Sequence, residues 1–280
     1  MKKIFLSLIV LTLAFAGCKK SEETTPAGGG NGDAGGITVA EVNTSMVIKH
    51  TGSRCPPCGN WGWNANEDII STNKGSAAFM SAYGQNFVAQ LFINATATAL
   101  QTHVGATGYP TWSANGEAQL DRAGGGVNVN GEKAKVEQAV KDHKAAAVVA
   151  NVGFTTSYDG DKLIIDTRTK FFKEAQGNYN LTVFVLEDGV VGAQSGHPNT
   201  PNVAHHHVVR GTAVAEGSSS IDVLEGMQIA TGNIAAGSTY DQKFTFDVKG
   251  YDKANIEVIA VIWKKDLGSL DFINASTDQK

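Results

Sequence analysis

The chemistry-bearing residues of this 280-residue chain start with its three cysteines, Cys18, Cys55 and Cys58. Two of them stand in Thr51-Gly-Ser-Arg-Cys-Pro-Pro-Cys-Gly-Asn-Trp61, close enough for the sulfurs to meet. Pro56 and Pro57 suit the first turn of a helix, where a missing N–H does no harm, so the spacing predicts Cys55 at the N-cap and Cys58 one turn later on the same side. At an N-cap, unpaired backbone N–H groups and the positive end of the helix dipole favour a thiolate over a thiol. That assigns Cys55 as nucleophile and Cys58 as the thiol that resolves a mixed disulfide. A Cys-x-x-Cys pair also serves as half of a zinc site, but the sequence holds no second one.

The surrounding pattern supplies elements to position the pair. An apolar strand over 45–50 runs directly into the motif, and the helix is expected to continue over 60–71 with Trp61, Trp63, Ile69 and Ile70. The apolar, aromatic run 86–94 reads as a buried strand, followed by a short helix over 95–104. Next comes Gly108-Tyr-Pro-Thr-Trp112, and then Asn115-Gly116, a two-residue turn signal that pairs 111–114 with 117–121. After the Gly124-Gly-Gly126 loop, Val136, Ala139, Val140 and His143 recur at helical spacing over 132–143.

Strand, CxxC helix, strand, helix, proline, hairpin, helix: this order, with CPPC and GYPTW together, resembles the thioredoxin family. In that family a cis-proline begins the strand facing the CxxC, often in a Gly-x-Pro-Thr setting such as Gly108 to Thr111. The resemblance implies that Pro110 is the cis-proline and that Tyr109, through its backbone, and Thr111 meet an extended substrate. Two positions depart from the family. Arg54 stands where Trp is usual, and Lys49, with His50 beside it, stands where a buried carboxylate often helps take a proton from the second cysteine. Cations near Cys55 stabilise its thiolate and make the disulfide more oxidising, so Lys49 and Arg54 are read as pKa-tuning residues with an oxidase or isomerase bias. Solvent-facing charge is the competing reading of both. His103 and His143 read as surface or core-edge histidines.

Charge narrows the partners. There are 23 Lys and Arg against 27 Asp and Glu, a net −4, with no basic block after residue 20. That excludes nucleic acid as an expected partner. Nothing in the pattern calls for a cofactor.

The amino terminus reads as an export signal: Met1-Lys-Lys, an apolar run from Ile4 to Ala16, then Gly17-Cys18. The run is too short to cross a hydrocarbon core, which takes about 20 residues. Phe15-Ala-Gly-Cys18 resembles a bacterial lipobox, with Phe where Leu is commoner. The resemblance implies a signal peptide over 1–17 and lipidation of Cys18, leaving Cys55 and Cys58 as the one remaining pair in a compartment where disulfides persist. Residues 18–37 then form a Gly-rich tether with a root-mean-square reach of roughly 25 Å. Glu22-Glu23 resembles the surface-export signals of some lipoproteins; a solvated linker explains it equally.

A thioredoxin-like unit is expected over 38–147, and from 148 to 280 the texture changes to strands between turns. Leu163, Ile165, Thr167, Thr169 and Phe171 alternate with charged residues, and further runs cover 150–157, 179–186, 190–193, 205–212, 240–248 and 256–263. About seven such strands predict an antiparallel, immunoglobulin-like β-sandwich. The expected fold class is therefore an α/β thioredoxin-like domain followed by an all-β domain. Leu186-Glu-Asp-Gly-Val-Val-Gly-Ala-Gln194 and His205-His-His-Val-Val-Arg210 resemble the bacterial outer-membrane lipoprotein family named for a twenty-eight-kilodalton member, which implies architecture and outer-membrane location rather than a substrate.

On one strand His205 and His207 would share a face, with His197 nearby in sequence, which raises a metal site; a polar rim explains them as well. Arg210 is expected to pair with a carboxylate or to bind a ligand. The function expected is a lipid-anchored envelope thiol–disulfide oxidoreductase acting on cysteine-containing envelope proteins or a redox partner. The alternative is a surface binding or adhesion lipoprotein whose CxxC is structural.

Overall fold

The computed structural model describes residues 36–84, 87–121, 126–218 and 221–279. The expected signal peptide, Cys18, nearly all of the expected tether, and Gly124 and Gly125 lie outside the described residues. No helix among those described is long and apolar enough to cross a membrane.

The first region runs β1 (Ser45–Thr51), α1 (Pro56–Gly59), α2 (Trp61–Asn73), β2 (Ala77–Tyr83), α3 (Ala95–His103), β3 (Thr111–Ala114), β4 (Glu117–Ala118) and α4 (Val129–Ala145). Strand β1 is parallel to β2, with Ser45 opposite Ala77 and Thr51 opposite Tyr83, and antiparallel to β3, with His50 opposite Thr111. Asn115 and Gly116 both adopt positive φ, 54° and 85°, as a two-residue hairpin of the primed type needs. Sequence pattern misplaces one element. The run 86–94 is not a strand; its described part is loop with a 3-10 turn at Gln90–Phe92, and the strand is Ala77–Tyr83. Small residues hid it: Ala77, Ala78, Ser81 and Ala82 carry little β propensity, but a strand buried along its whole length between two neighbours has room for little more.

The second region contributes β5 (Ala150–Asp159), β6 (Lys162–Phe171), β7 (Ala175–Glu187), β8 (Val190–Gly192), β9 (Val203–His205), β10 (Val208–Thr212), β11 (Val214–Ala215), β12 (Met227–Ile234), β13 (Thr239–Asp247), β14 (Ile256–Asp266) and β15 (Ser269–Thr277). The expected single run over 205–212 is two strands, because His207 takes φ 54° and turns the chain between β9 and β10. Four strands form one sheet in the order β11-β13-β6-β5. Across a core that includes Leu163, Ile165, Phe171, Leu181, Phe244 and Ile262 lies the other layer, built on β7, β12, β14 and β15.

That layer continues into the first region. The large sheet has the order β15-β14-β7-β10-β2-β1-β3-β4, with β12 also on β7. The join between β10 and β2 is short, Val208 opposite Ser81, with the Ser81 N–H donating to the His207 carbonyl at 2.7 Å. Beside it the Gln279 side chain replaces a strand: Phe79 N–H donates to its Oε1 at 2.9 Å, and its Nε2 donates to the Phe79 carbonyl at 2.7 Å. One apolar core runs beneath the junction, bringing Ile48 and Met80 together with Leu100 of α3, Phe184 of β7 and Trp263 of β14. Helices α2 and α4 cover the opposite face through Ala65, Ile69, Val136 and Val140. Strands from both sides of the 147/148 boundary thus share hydrogen bonds and core.

Candidate active site

Cys55 is the N-cap of α1, with extended φ −98° and ψ 107°, as the two prolines dictate. It is disulfide-bonded to Cys58, with Cα atoms 5.3 Å apart. Backbone bonds hold both residues: Cys55 N–H donates to Gly52 C=O and Cys58 N–H to Cys55 C=O, each at 3.1 Å. The helix does not continue smoothly as the sequence suggests. Asn60, at ψ −110°, breaks it after a single turn, so any dipole acting on Cys55 is that of one turn and not of a long helix.

The break has a packing reason. Gly62 lies against the Pro110 ring, and Gly59 against the backbone of Ser195, so closely that a Cβ at either would overlap these neighbours. The Tyr109–Pro110 peptide is cis, as the resemblance implied. The Tyr109 carbonyl oxygen lies 3.8 Å from Cys55 Sγ. Cys55, Pro56, Phe87, Gln101, Thr107 and Tyr109 border an open cleft of about 470 Å³. Cys55 is 6% exposed and Cys58 is fully enclosed, so only the first sulfur borders the cleft.

Thr111, expected on the substrate side, is fully buried. Its hydroxyl donates to the Gly108 carbonyl at 2.7 Å and steadies the turn that presents Tyr109. Burial follows from its place opposite His50 in the middle of the sheet.

One set of residues at this site was not expected there. The loop after β8 reaches across from the second region: buried Gln194 donates through Nε2 to the Gly52 and Cys55 carbonyls, both at 3.2 Å, and Ser195 N–H donates to the Ser53 carbonyl at 2.8 Å. His197 packs edge-on against Trp63 of α2, with ring centroids 4.7 Å apart. In the sequence the only sign was the Gly196 between polar residues, which says turn but not where the turn docks. Gly59→Ala therefore drives a Cβ into backbone on this loop. It is expected to lower stability by about 1–3 kcal/mol in urea unfolding, the usual range for overpacking.

Lys49 and His50 alternate to opposite faces of β1. Lys49 points toward α2 and lies with Nζ 4.8 Å from the Trp63 ring centroid; burial lowers its pKa to about 7, opposed by the carboxylate of Glu67. His50 faces the other way, its Nε2 2.9 Å from Ser113 Oγ, and burial lowers it to about 3. Solvent-facing charge is thus excluded for Lys49, whereas Arg54 is exposed. These shifts set a pH dependence. Between pH 6.5 and 3 the unfolded chain takes up a proton that native His50 refuses, so the His50 contribution to stability is full above 6.5 and is lost as pH drops through this window. His205, lowered to about 4 chiefly by burial, adds to the fall. Lys49 acts likewise between 7 and 10.5, where stability rises with pH. The urea midpoint is expected to drop from pH 6.5 to pH 4.5, and His50→Gln to make the drop shallower.

Of the three histidines whose convergence the sequence left open, His197 and His205 both pack on Trp63, ring centroids 4.7 and 5.7 Å away, and His207 lies apart from His205. His205 is buried against Phe92 and Tyr83, its Nδ1 2.5 Å from the Tyr83 hydroxyl, while His207 turns to Glu257, Nδ1 to Oε2 2.8 Å. A shared His205–His207 metal site does not form, because the positive φ at His207 breaks strand alternation. Arg210 pairs with buried Glu187 at 2.6 Å.

No family model matches this chain, and no curated protein matches it. Among solved structures it is similar to HBP35 of Porphyromonas gingivalis. The likeness has a TM-score of 0.64 and 16% identity over 86% of this chain and 76% of that one. It speaks for the fold alone, and it extends across both sequence regions. A penta-heme cytochrome c552 from Thermochromatium tepidum covers 45% of this chain and 38% of its own at a TM-score of 0.24 and 12% identity, which carries no argument.

Proposed function

We propose that this chain is a thiol–disulfide oxidoreductase of the bacterial cell envelope, tied to the outer membrane by lipid on Cys18 and related to the lipoprotein family named above. The observation that carries the reading is the placement of Cys55: its sulfur alone borders the cleft, 3.8 Å from the Tyr109 carbonyl, with its partner sulfur shielded behind it. A substrate thiolate attacks Cys55 Sγ, the Cys55–Cys58 bond breaks, and Cys58 leaves with the electron pair and takes a proton. A second substrate thiolate then attacks the substrate sulfur of the mixed disulfide and releases Cys55 as thiolate. The substrate dithiol has lost two electrons and the enzyme pair has gained them; an envelope redox partner returns the pair to the disulfide. The reverse sequence reduces or reshuffles disulfides.

Lys49 supports an oxidising or isomerising bias, since no carboxylate occupies its position. Burial lowers its pKa to about 7, so its charge is partial at neutrality. The thioredoxin-like strand order β2-β1-β3-β4 and the sandwich that extends it supply the frame. Insulin-reduction and scrambled-ribonuclease assays on the exported protein test the reading: turnover in at least one is expected, and none at any redox poise contradicts it. The near-complete burial of both cysteines favours one other reading, a surface binding lipoprotein with a structural disulfide, and that second outcome would select it.

A further inference from the structure

Where the two sequence regions join, three elements bring together groups unrelated to the CxxC. Asp188 follows β7, His207 precedes β10, and Glu257 lies on β14. One ligand atom from each, a carboxylate oxygen, an imidazole nitrogen and a second carboxylate oxygen, fall within 4.8 Å of one another. All three residues are partly buried. Among the described residues neither carboxylate pairs with a lysine or arginine. Glu257 meets His207 at 2.8 Å, and Asp188 meets His206 Nδ1 at 2.8 Å and the His207 N–H at 3.2 Å. Two half-buried carboxylates thus face imidazoles and the His207 N–H, with no lysine or arginine ion pair among the described residues.

We propose that Asp188, His207 and Glu257 bind a divalent transition cation, Zn²⁺ by preference. One imidazole nitrogen and two carboxylate oxygens make a three-ligand set that zinc accepts, leaving a fourth position for water. The supporting groups that such sites use are in place. His206 holds Asp188, and Gln279 Nε2 donates to Glu257 Oε2 at 3.2 Å. His207 is fixed by its own backbone, whose carbonyl accepts the β2 bond from Ser81 at 2.7 Å. Metal binding to imidazole and carboxylate competes with protons, so it weakens as pH falls. The cation ties β7, β10 and β14 together beside the short β10–β2 join, and its role is to brace that join.

The test uses the exported protein with Cys55–Cys58 oxidised and any free thiol alkylated, so that sulfur cannot take the metal. Titration of the chelator-treated protein with Zn²⁺ by calorimetry is expected to show one equivalent per chain. Melting should rise by about 5 °C at a hundredfold excess over the dissociation constant. Glu257→Gln and His207→Asn, the latter chosen because Asn tolerates positive φ, should each weaken binding at least tenfold and cut the melting shift at the same zinc concentration to about half or less. No saturable binding of Zn²⁺ overturns the proposal. So does binding that survives both substitutions or that is lost instead with His197→Ala.

Discussion

Cys55→Ser is expected to reduce disulfide exchange to the uncatalysed rate, a loss of ~10³-fold or more if it behaves as nucleophile removal does in other enzymes, whereas Cys58→Ser should trap partner proteins as mixed disulfides. The asymmetry follows from placement. Cys55 borders the cleft at the N-cap of α1, and Cys58 is fully enclosed one turn later. With Cys58 replaced, an attack by Cys55 still forms the first bond, but nothing within the protein resolves it. Non-reducing electrophoresis followed by mass spectrometry of Cys58→Ser should show adducts through Cys55, absent from the double variant. Adducts that form through Cys58 in Cys55→Ser would reverse the assignment of roles.

Glu187→Ala should cost about 3–5 kcal/mol, because it strands a buried charge. The side chains of Arg210 and Glu187 are 6% and 10% exposed, so water screens the pair little. Arg210 donates to Glu187 Oε2 through Nε at 2.7 Å and lies with its guanidinium carbon 5.0 Å from the Tyr251 ring centroid. Glu187 Oε1 accepts from the Asp252 backbone at 2.9 Å. The arginine also reaches forward: Nη1 donates to the Leu91 carbonyl at 2.8 Å, within the segment that follows Phe87 at the cleft. A loss of this size is a large share of the ~5–15 kcal/mol that holds most proteins folded. Urea unfolding measures it, and the apolar pair Glu187→Leu with Arg210→Met should recover much of it, since it removes both charges at once. A Glu187→Ala loss below 1 kcal/mol would show that the pair is hydrated and not part of the frame.

The CxxC pair at a helix start, the hairpin at Asn115-Gly116 and helices α3 and α4 were legible in the sequence, because each is written locally in turn chemistry or periodicity, and the cis-proline Pro110 was legible through the family resemblance. What the sequence hid is non-local. Strand β2 lacks β-branched residues and shows itself as a strand only between β1 and β10. Gln194 looks like an ordinary loop residue until its amide meets the Gly52 and Cys55 carbonyls, 142 and 139 positions away. The histidine triplet drew attention to His205 and His207 as a pair. One residue at positive φ parted them and turned His207 to Glu257, 50 positions downstream, a partner that no ligand spacing discloses.

Equilibration of the protein with glutathione buffers, read by alkylation of Cys55 and Cys58 at each poise, separates a working redox pair from a structural disulfide. A single reversible two-electron transition is expected at a potential above the roughly −270 mV of thioredoxin, toward the roughly −180 mV of disulfide isomerases. A pair that stays oxidised below about −300 mV, as structural disulfides do, would contradict the assignment of Cys55 and Cys58 as a redox centre.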